Sequence, residues 1–336
     1  MPETRIDDVP ELGEFKVALK SLGYRTTDQL IGAYQVTGDL LARYLKTDAV
    51  RLRDIIEKLP RRERPREIAA VTPRKFALGV RLDRIPRPQR ALRMSAVSAE
   101  PLPPKVNMIV QMAPVRDQRD RGTCVAHASL AVMEYYLRLQ GKYQNLSRQF
   151  LYWDCKQNDG EPQAYGTSIG VAMKVLETDG CCLESTWPYN PTTIAGNEGQ
   201  GPPPAQAAAE AKDFMAPSVH QIAATSIIDI KSELAHNHCV AFSIPVFDSW
   251  YNNPEVQRTG EIVNPIPNEE SGEGHAMCFV GYEDIPDQPD LGGGKFYIRN
   301  SWNSEWATES VLGSAGYGTI PYSYIGRFGR EAYTIE

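Results

Sequence analysis

The stretch PVRDQRDRGTCVAHAS, residues 114–129, contains the first cysteine of the chain, at the point where a polar segment gives way to a helix. That helix is predicted over residues 125–139 from apolar residues at helical spacing. These residues are Ala126, Leu130, Met133 and Leu137. Unpaired backbone N–H groups at a helix start favour a thiolate over a thiol, so Cys124 is a candidate nucleophile. Gln118, six residues earlier, can donate its side-chain N–H to an oxyanion together with the backbone N–H of Cys124.

A thiolate nucleophile needs a proton donor for the leaving group, and an imidazole held by a third group supplies it. Of the five histidines, His275 is the best candidate, because it follows a predicted loop at residues 271–274 and opens an apolar strand. The next predicted strand ends at Asn300, whose amide can hold the far N–H of that imidazole. The indole of Trp302 can shield this hydrogen bond from water. The sequence therefore predicts a Cys–His–Asn site.

The order of predicted elements indicates an α+β architecture, with a helix-rich half before a strand-rich half and a cleft between them. Further helices are predicted over residues 168–178 and 205–214. The strand-like runs are residues 239–247, 275–283 and 295–302.

The order Gln…Cys…His…Asn-Ser-Trp, with six residues from Gln118 to Cys124, resembles the papain-like cysteine peptidases. Other segments are similar to that family's mature N-terminus, second helix, aromatic-proline turn, histidine strand and asparagine strand. In that order they are LPPKVN (102–107), LSRQFLYWDC (146–155), ESTWPY (184–189), GHAMCFVGY (274–282) and KFYIRNSW (295–302). The resemblance covers about residues 102–325. It implies a two-lobed fold in which a helical left lobe carries the cysteine and a β-rich right lobe carries the histidine and asparagine.

The resemblance also implies a role for each matching residue. Cys124 would be the nucleophile, His275 its acid–base partner and Asn300 the residue that orients the histidine. Gln118 would donate to the oxyanion. The residues implied in substrate binding are the backbone-binding pair Gly166 and Thr167, the pocket residues Ser168, Ile169, Ser243, Glu273 and Ala276, and Trp302.

The sequence also departs from the family pattern. The family usually has a cysteine three residues before its nucleophile, and Arg121 stands there, so the corresponding left-lobe disulfide cannot form. Val125 and His127 take the places of two aromatic residues. His127 is a rival base in principle, but a packed histidine is the expected role. The glycines usual after the Asn-Ser-Trp motif are replaced, which is expected to reshape the cleft near Trp302 and Trp306.

Three functions are compatible with these motifs. The first is a cysteine endopeptidase, a hydrolase, with a regulatory N-terminal region and a peptide or protein substrate. The second is a ligase or transamidase that transfers the acyl group from the same thioester to an amine. The third is a catalytically silent binding module, against which the intact catalytic quartet argues.

The chain is expected to have three parts. Residues 1–60 are predicted to form a small helical module, similar to a helix-hairpin-helix or SAM-like unit, that can recruit a protein partner. Thr26 and Gln29 make a capping box there. Residues 61–100 are basic and proline-containing, and we expect a linker or pro-segment that lies along the cleft and restrains the enzyme. The alternative is a permanent targeting role for the N-terminal region that leaves the cleft open. Residues 101–336 form the peptidase domain.

Composition excludes several other classes. Hydrophobic content of 42% and charged content of 23% are ordinary globular values. A net charge of -6 makes nucleic acid an unlikely partner. No apolar run is long enough to span a membrane, and the first residues lack the apolar core of a secretory signal. A cytoplasmic location is therefore expected.

The cysteines predict neither a disulfide framework nor a metal site. None of the six lies in a CxxC pair, and reduced thiols are expected. A disulfide from Cys155 to Cys181 or Cys182 stays open but unsupported. The nearest zinc candidates are Cys181-Cys182 and His236-x-His238-Cys239, and neither has the usual ligand spacing. No metal and no cofactor are predicted.

Overall fold

The computed structural model describes residues 3–61, 75–85 and 101–336. The α-helices are α1 (Lys16–Ser21), α2 (Thr27–Tyr44), α3 (Ala49–Lys58), α4 (Cys124–Leu139), α5 (Arg148–Asn158), α6 (Ile169–Thr178), α7 (Ala207–Ala211), α8 (Ile227–Ala235), α9 (Asp248–Tyr251), α10 (Pro254–Thr259) and α11 (Tyr322–Phe328). The strands are β1 (Lys105–Asn107), β2 (Val219–Gln221), β3 (Val240–Phe247), β4 (Ser271–Asp284), β5 (Gly294–Arg299), β6 (Tyr317–Pro321) and β7 (Glu331–Ile335).

The left lobe is helical and is built from α4, α5 and α6, which pack on one another. Each predicted helix of this lobe is present, and α4 begins at Cys124 itself. The side chain of Ser147 accepts a hydrogen bond from the N–H of Phe150 and so caps α5. Ser168 caps α6 in the same way, from the N–H of Val171. Side-chain caps therefore fix where two of the three helices start.

The right lobe contains an antiparallel sheet in the order β2-β7-β3-β4-β5-β6, with β1 on β4. The three predicted strands correspond to β3, β4 and β5. The loop predicted at residues 271–274 is wrong, because β4 already starts at Ser271 and pairs with Phe247 across a bulge. β4 is therefore long enough to carry His275 well inside the sheet. The expected α+β class, with two lobes and a cleft, is confirmed.

The N-terminal helices pack against the right lobe. The capping box at Thr26 is present, with both reciprocal hydrogen bonds to Gln29. Thr37 has a non-helical backbone conformation, which makes a kink inside α2. Gln29 Nε2 donates to Glu261 at 3.0 Å, and α2 contacts α9 and α10. The boundaries near residues 60 and 100 stay a prediction, since residues 62–74 and 86–100 lie outside the described ranges.

All six cysteines are buried and free of disulfides. The open Cys155–Cys181 or Cys155–Cys182 pairing is therefore absent. Within the three described ranges, no helix is long and apolar enough to cross a membrane.

Candidate active site

Cys124, His275 and Asn300 come together at the cleft between the lobes. The first residue of α4 places Cys124 there, and β4 brings His275, which is fully buried. Asn300 follows β5 directly, and its Oδ1 lies 2.8 Å from Nε2 of His275. The indole of Trp302 stacks on the imidazole with ring centroids 4.5 Å apart. Because Oδ1 can only accept, Nε2 of His275 carries the ring proton and donates it in a hydrogen bond to Asn300. The other ring nitrogen, Nδ1, has no hydrogen-bond partner among the described residues.

Burial favours the uncharged forms of Cys124 and His275. Desolvation raises the pKa of the Cys124 thiol to about 12, although the backbone N–H groups of Ala276, Val125 and Cys124 itself act in the opposite direction. Desolvation also lowers the pKa of His275 to about 4, against a smaller opposing effect of Asn300. Burial therefore favours the neutral form of both the thiol and the imidazole while the site is covered.

The side-chain amide of Gln118 faces a backbone carbonyl of the N-terminal region. Its Nε2 donates to the carbonyl oxygens of Ala77 and Arg121, each at 3.0 Å. Its Oε1 accepts from the hydroxyl of Ser301 at 2.5 Å. The indole N–H of Trp302 also donates to the oxygen of Ala77, at 3.2 Å. One carbonyl oxygen thus receives two side-chain N–H donors next to Cys124.

That carbonyl belongs to residues 75–85, here called the strap, which cross the cleft. The N–H groups of Gly79 and Val80 donate to the oxygen of Gly274 on β4, at 3.2 and 3.0 Å. On the opposite lobe, Thr167 donates its N–H to Gly79 and accepts from the N–H of Arg81, both at 3.0 Å. The strap is therefore hydrogen-bonded to both lobes.

Glycines allow the strap to lie this close. A Cβ on Gly79 would come within 2.2 Å of the carbonyl oxygen of Gly122, two residues before Cys124. A Cβ on Gly166 would meet the oxygen of Gly79 at 2.3 Å. At the end nearer the start of the chain, Phe76 stacks on Trp302 with ring centroids 4.4 Å apart. Cys124 is fully buried in this arrangement.

A model of the papain family of cysteine proteases matches residues 103–320. The chain belongs to this family. The predicted family and its two-lobed fold are thus confirmed.

Relatives and solved structures agree with this assignment. An uncharacterized peptidase C1-like protein of Acanthamoeba polyphaga mimivirus is 27% identical over 220 residues, 62% of this chain and 64% of that protein. The match therefore spans less than two thirds of that relative. Xylellain, a cysteine protease from Xylella fastidiosa, is 27% identical with a TM-score of 0.62, over 78% of this chain and 97% of that one. A digestive procathepsin L of Tenebrio molitor larval midgut shares the fold, at 18% identity and a TM-score of 0.54, over 97% and 98% of the two chains.

Of the pocket residues implied by the family resemblance, several lie together behind the strap. Thr167 makes the two backbone hydrogen bonds to the strap, whereas Gly166 provides room for it. Ser168 is the cap of α6, and the N–H of Ile169 donates to Glu331 at 3.1 Å. Ser243 is buried and donates its hydroxyl to the same carboxylate at 3.0 Å.

The remaining two pocket residues lie on β4, on either side of His275. Glu273 is exposed and borders the strap with Gly272 and Gly274. Ala276 is buried, and its backbone N–H faces the thiol of Cys124.

The structure adds site residues that the sequence analysis did not name as such. Ser301 holds Gln118, and Glu331 joins the lobes by accepting hydrogen bonds from Ile169, Gly170 and Ser243. Ser301 was within reach of sequence reasoning, because it lies inside the Asn-Ser-Trp motif. Glu331 was not, because nothing in EAYTI distinguishes a buried carboxylate from an exposed one.

The departures from the family pattern have structural explanations. Arg121, in the usual cysteine position, is buried and donates to Gln149 Oε1 and to the carbonyl oxygens of Asn190 and Glu198. These hydrogen bonds tie the segment before α4 to α5 and to residues 190–198. His127 is packed, as expected, with its Nδ1 2.9 Å from the carbonyl of Thr123. Burial lowers the pKa of His127 to about 3.

Proposed function

We propose that this chain is a cysteine endopeptidase whose nucleophile is Cys124 and whose cleft is covered by the strap. The observation that carries the proposal is the environment of the Ala77 carbonyl. Its oxygen receives hydrogen bonds from Gln118 Nε2 and Trp302 Nε1, beside a buried thiol at the start of α4. Gln118 is thus a fixed N–H donor directed at a carbonyl oxygen, as the stabilisation of an acyl-transfer oxyanion requires, and the backbone N–H of Cys124 is the proposed second donor.

The proposed reaction uses these side chains in turn. Cys124 loses its proton to Nδ1 of His275, and the thiolate attacks the carbonyl carbon of a peptide bond. Gln118 and the backbone N–H of Cys124 stabilise the oxyanion. His275 returns the proton to the departing amine, which leaves a thioester on Cys124. Water, deprotonated by His275, then hydrolyses the thioester to a carboxylic acid and restores the thiol.

Asn300 has a positioning role in this scheme. Its Oδ1 fixes the Nε2 proton of His275, which keeps Nδ1 available for the proton exchange with Cys124. The stacked indole of Trp302 excludes water from that hydrogen bond.

The strap acts as a regulatory element in this proposal. If the residues before the cleaved bond bind at Thr167, a substrate runs from Thr167 towards Gln118. The strap runs the opposite way, since Ala77 lies at Gln118 and Arg81 at Thr167. A reversed peptide fills the cleft without presenting its bond for attack. Residues 1–100 would then restrain the enzyme until the strap leaves.

A hydrolysis assay tests the proposed chemistry. The assay uses the full chain with Gly79→Ala, because a Cβ there is incompatible with the seated strap. Peptide libraries should be cut by this chain, and Cys124→Ala should abolish turnover. Cys155→Ala, at another buried cysteine, is the matched control and should keep it.

The same assay separates hydrolysis from acyl transfer. Carboxylic acid products that persist when a free amine is added support the peptidase. Amide products alone would replace it with a transferase, and turnover retained by Cys124→Ala would refute the assignment of the nucleophile.

A further inference from the structure

Four side chains far from the cleft converge at the free end of β7. His238 Nδ1 lies 3.0 Å from Glu233 Oε2 and 3.7 Å from Glu336 Oε1. The three ligand atoms of Glu233, His238 and Glu336 all lie within 4.8 Å of one another. The second carboxylate oxygen of Glu336, Oε2, lies 3.4 Å from His220 Nε2. Two imidazoles and two carboxylates therefore share one small volume at the surface.

Backbone hydrogen bonds hold the residues of this cluster close together without a ligand. The N–H of His238 donates to the carbonyl of Glu233 at 2.9 Å, which closes the turn after α8. The N–H of Glu336 donates to the carbonyl of Ser218 at 3.2 Å. Since β2 and β7 are paired, with His220 opposite Thr334, the fourth side chain comes from the neighbouring strand. Three separate elements thus supply the cluster.

We propose that His238, Glu233 and Glu336 form a binding site for a divalent transition-metal ion of the zinc type, with His220 beside it on the second oxygen of Glu336. Bonds of about 2.0–2.2 Å from zinc to imidazole nitrogen and carboxylate oxygen put tetrahedral ligands about 3.3–3.5 Å apart. The two pairs that His238 makes within this set, at 3.0 and 3.7 Å, lie on either side of that spacing. Imidazole nitrogens favour zinc and its neighbours over calcium or magnesium, which prefer oxygen ligands.

Metal binding would replace an existing hydrogen bond, because His238 Nδ1 and Glu233 Oε2, now 3.0 Å apart, would both bind the ion instead. His220 Nε2 keeps its contact with the hydroxyl of Ser218 at 2.8 Å. The zinc candidates visible in the sequence are different. Cys239 is buried, and His236 Nδ1 contacts the carbonyl of Ser232 in its own helix turn. Of those candidates only His238 belongs to the site.

Metal binding at this site is expected to hold the outer strands together. An ion bound here would link the end of α8, the start of β3, and the paired strands β2 and β7. Binding to the folded chain and not to the unfolded one raises its stability. The catalytic residues lie elsewhere, in the cleft, so the proposal stands independently of the proposed function.

Zinc titration of the full chain tests the site. A Cys124→Ala background removes the cleft thiol as a competing ligand. Calorimetry should show one zinc ion bound per chain, and binding should weaken on the order of 10-fold or more in His238→Ala and in Glu233→Gln. His236→Ala is the matched control and should bind as tightly as the parent. The melting temperature should rise with zinc in the parent and the control, but not in His238→Ala.

Cobalt gives a second readout that does not depend on stability. The full chain should give the intense visible absorption of tetrahedral Co²⁺, and His238→Ala should abolish it. No zinc binding, or binding that His238→Ala and Glu233→Gln leave unchanged, would overturn the proposal. The cluster would then be only a group of surface ion pairs.

Discussion

The amide of Gln118 is held on both sides, which decides what it can do. Ser301 donates to its oxygen, so Nε2 and not Oε1 faces the cleft. That N–H donates to the carbonyl oxygen of Ala77, which we propose to occupy the position of the oxyanion. The donor needs no reorganisation during the reaction, and donors of this kind are worth most in a dry site.

Loss of Gln118 is therefore expected to reduce turnover rather than binding. In the Gly79→Ala background, Gln118→Ala should lower kcat on the order of 100-fold to 1,000-fold, with little change in KM. Steady-state kinetics on one peptide substrate measure both constants. Unchanged kcat with a raised KM would mean that Gln118 only contacts the ground-state substrate.

The two buried histidines, His127 and His275, make the free energy of unfolding depend on pH. Burial lowers the pKa of His127 to about 3 and of His275 to about 4, whereas unfolded histidine titrates near 6.5. Between these pKa values, the unfolded chain therefore binds more protons at these two histidines than the folded chain does. The stability that each neutral histidine contributes is complete above about pH 6.5 and is lost as the pH falls towards the folded pKa.

Urea unfolding at pH 7 and pH 5 measures this effect. The free energy of unfolding should fall by about 2 kcal/mol per buried histidine between these values. His127→Asn should reduce that fall by about the same amount. His236→Asn, at an exposed histidine, is the control and should keep the parent slope. A parent whose stability does not change from pH 7 to pH 5 would contradict the account.

Among the secondary-structure elements, the sequence predicted the main helices and strands of each lobe better than the pairing of the short strands. Helices α4 and α6 and strands β3 to β5 have clear apolar patterns, and their motif order gave the family. β6 and β7 are short runs, YGTIP and EAYTI, whose pairing depends on distant partners. The early start of β4 was missed because SGEG lacks strand-forming residues, yet its backbone pairs with β3.

The strap was predicted only as an arm along the cleft. FALGV, residues 76–80, has no periodicity that fixes a structure, and its hydrogen bonds go to residues far along the chain. Sequence therefore could not say that Ala77 reaches Gln118 or that Gly79 lies against Gly122. The cluster of His238 and Glu336 was invisible for the same reason, since nearly a hundred residues separate them.

At the scale of the whole molecule, the N-terminal helices are packed on the peptidase domain. Gly32 of α2 lies so close to α10 that a Cβ would meet Asn253 Oδ1 at 2.2 Å. That oxygen caps α10 by accepting from the N–H of Glu255 at 3.0 Å. The contact therefore couples the start of the chain to the right lobe.

This coupling predicts a single unfolding transition that Gly32→Ala shifts downwards. Alanine normally stabilises a helix relative to glycine, but overpacking here should cost about 1–3 kcal/mol. Gly326→Ala, a helical glycine with open space around it, is the control and should not lower the melting temperature. Two separate transitions in calorimetry, with only the smaller one shifted by Gly32→Ala, would instead mean an independent module.

The rate of alkylation of the Cys124 thiol reports whether the strap covers the proposed nucleophile. Full-length chains are treated with a thiol-directed epoxide, and labelled Cys124 is followed by mass spectrometry over time. We expect slow labelling of the parent, much faster labelling of Gly79→Ala and Phe76→Ala, and no change in Gly13→Ala, where a Cβ meets nothing within 4 Å. Equally fast labelling of Cys124 in the parent and in both strap variants, with all chains folded, would contradict this expectation.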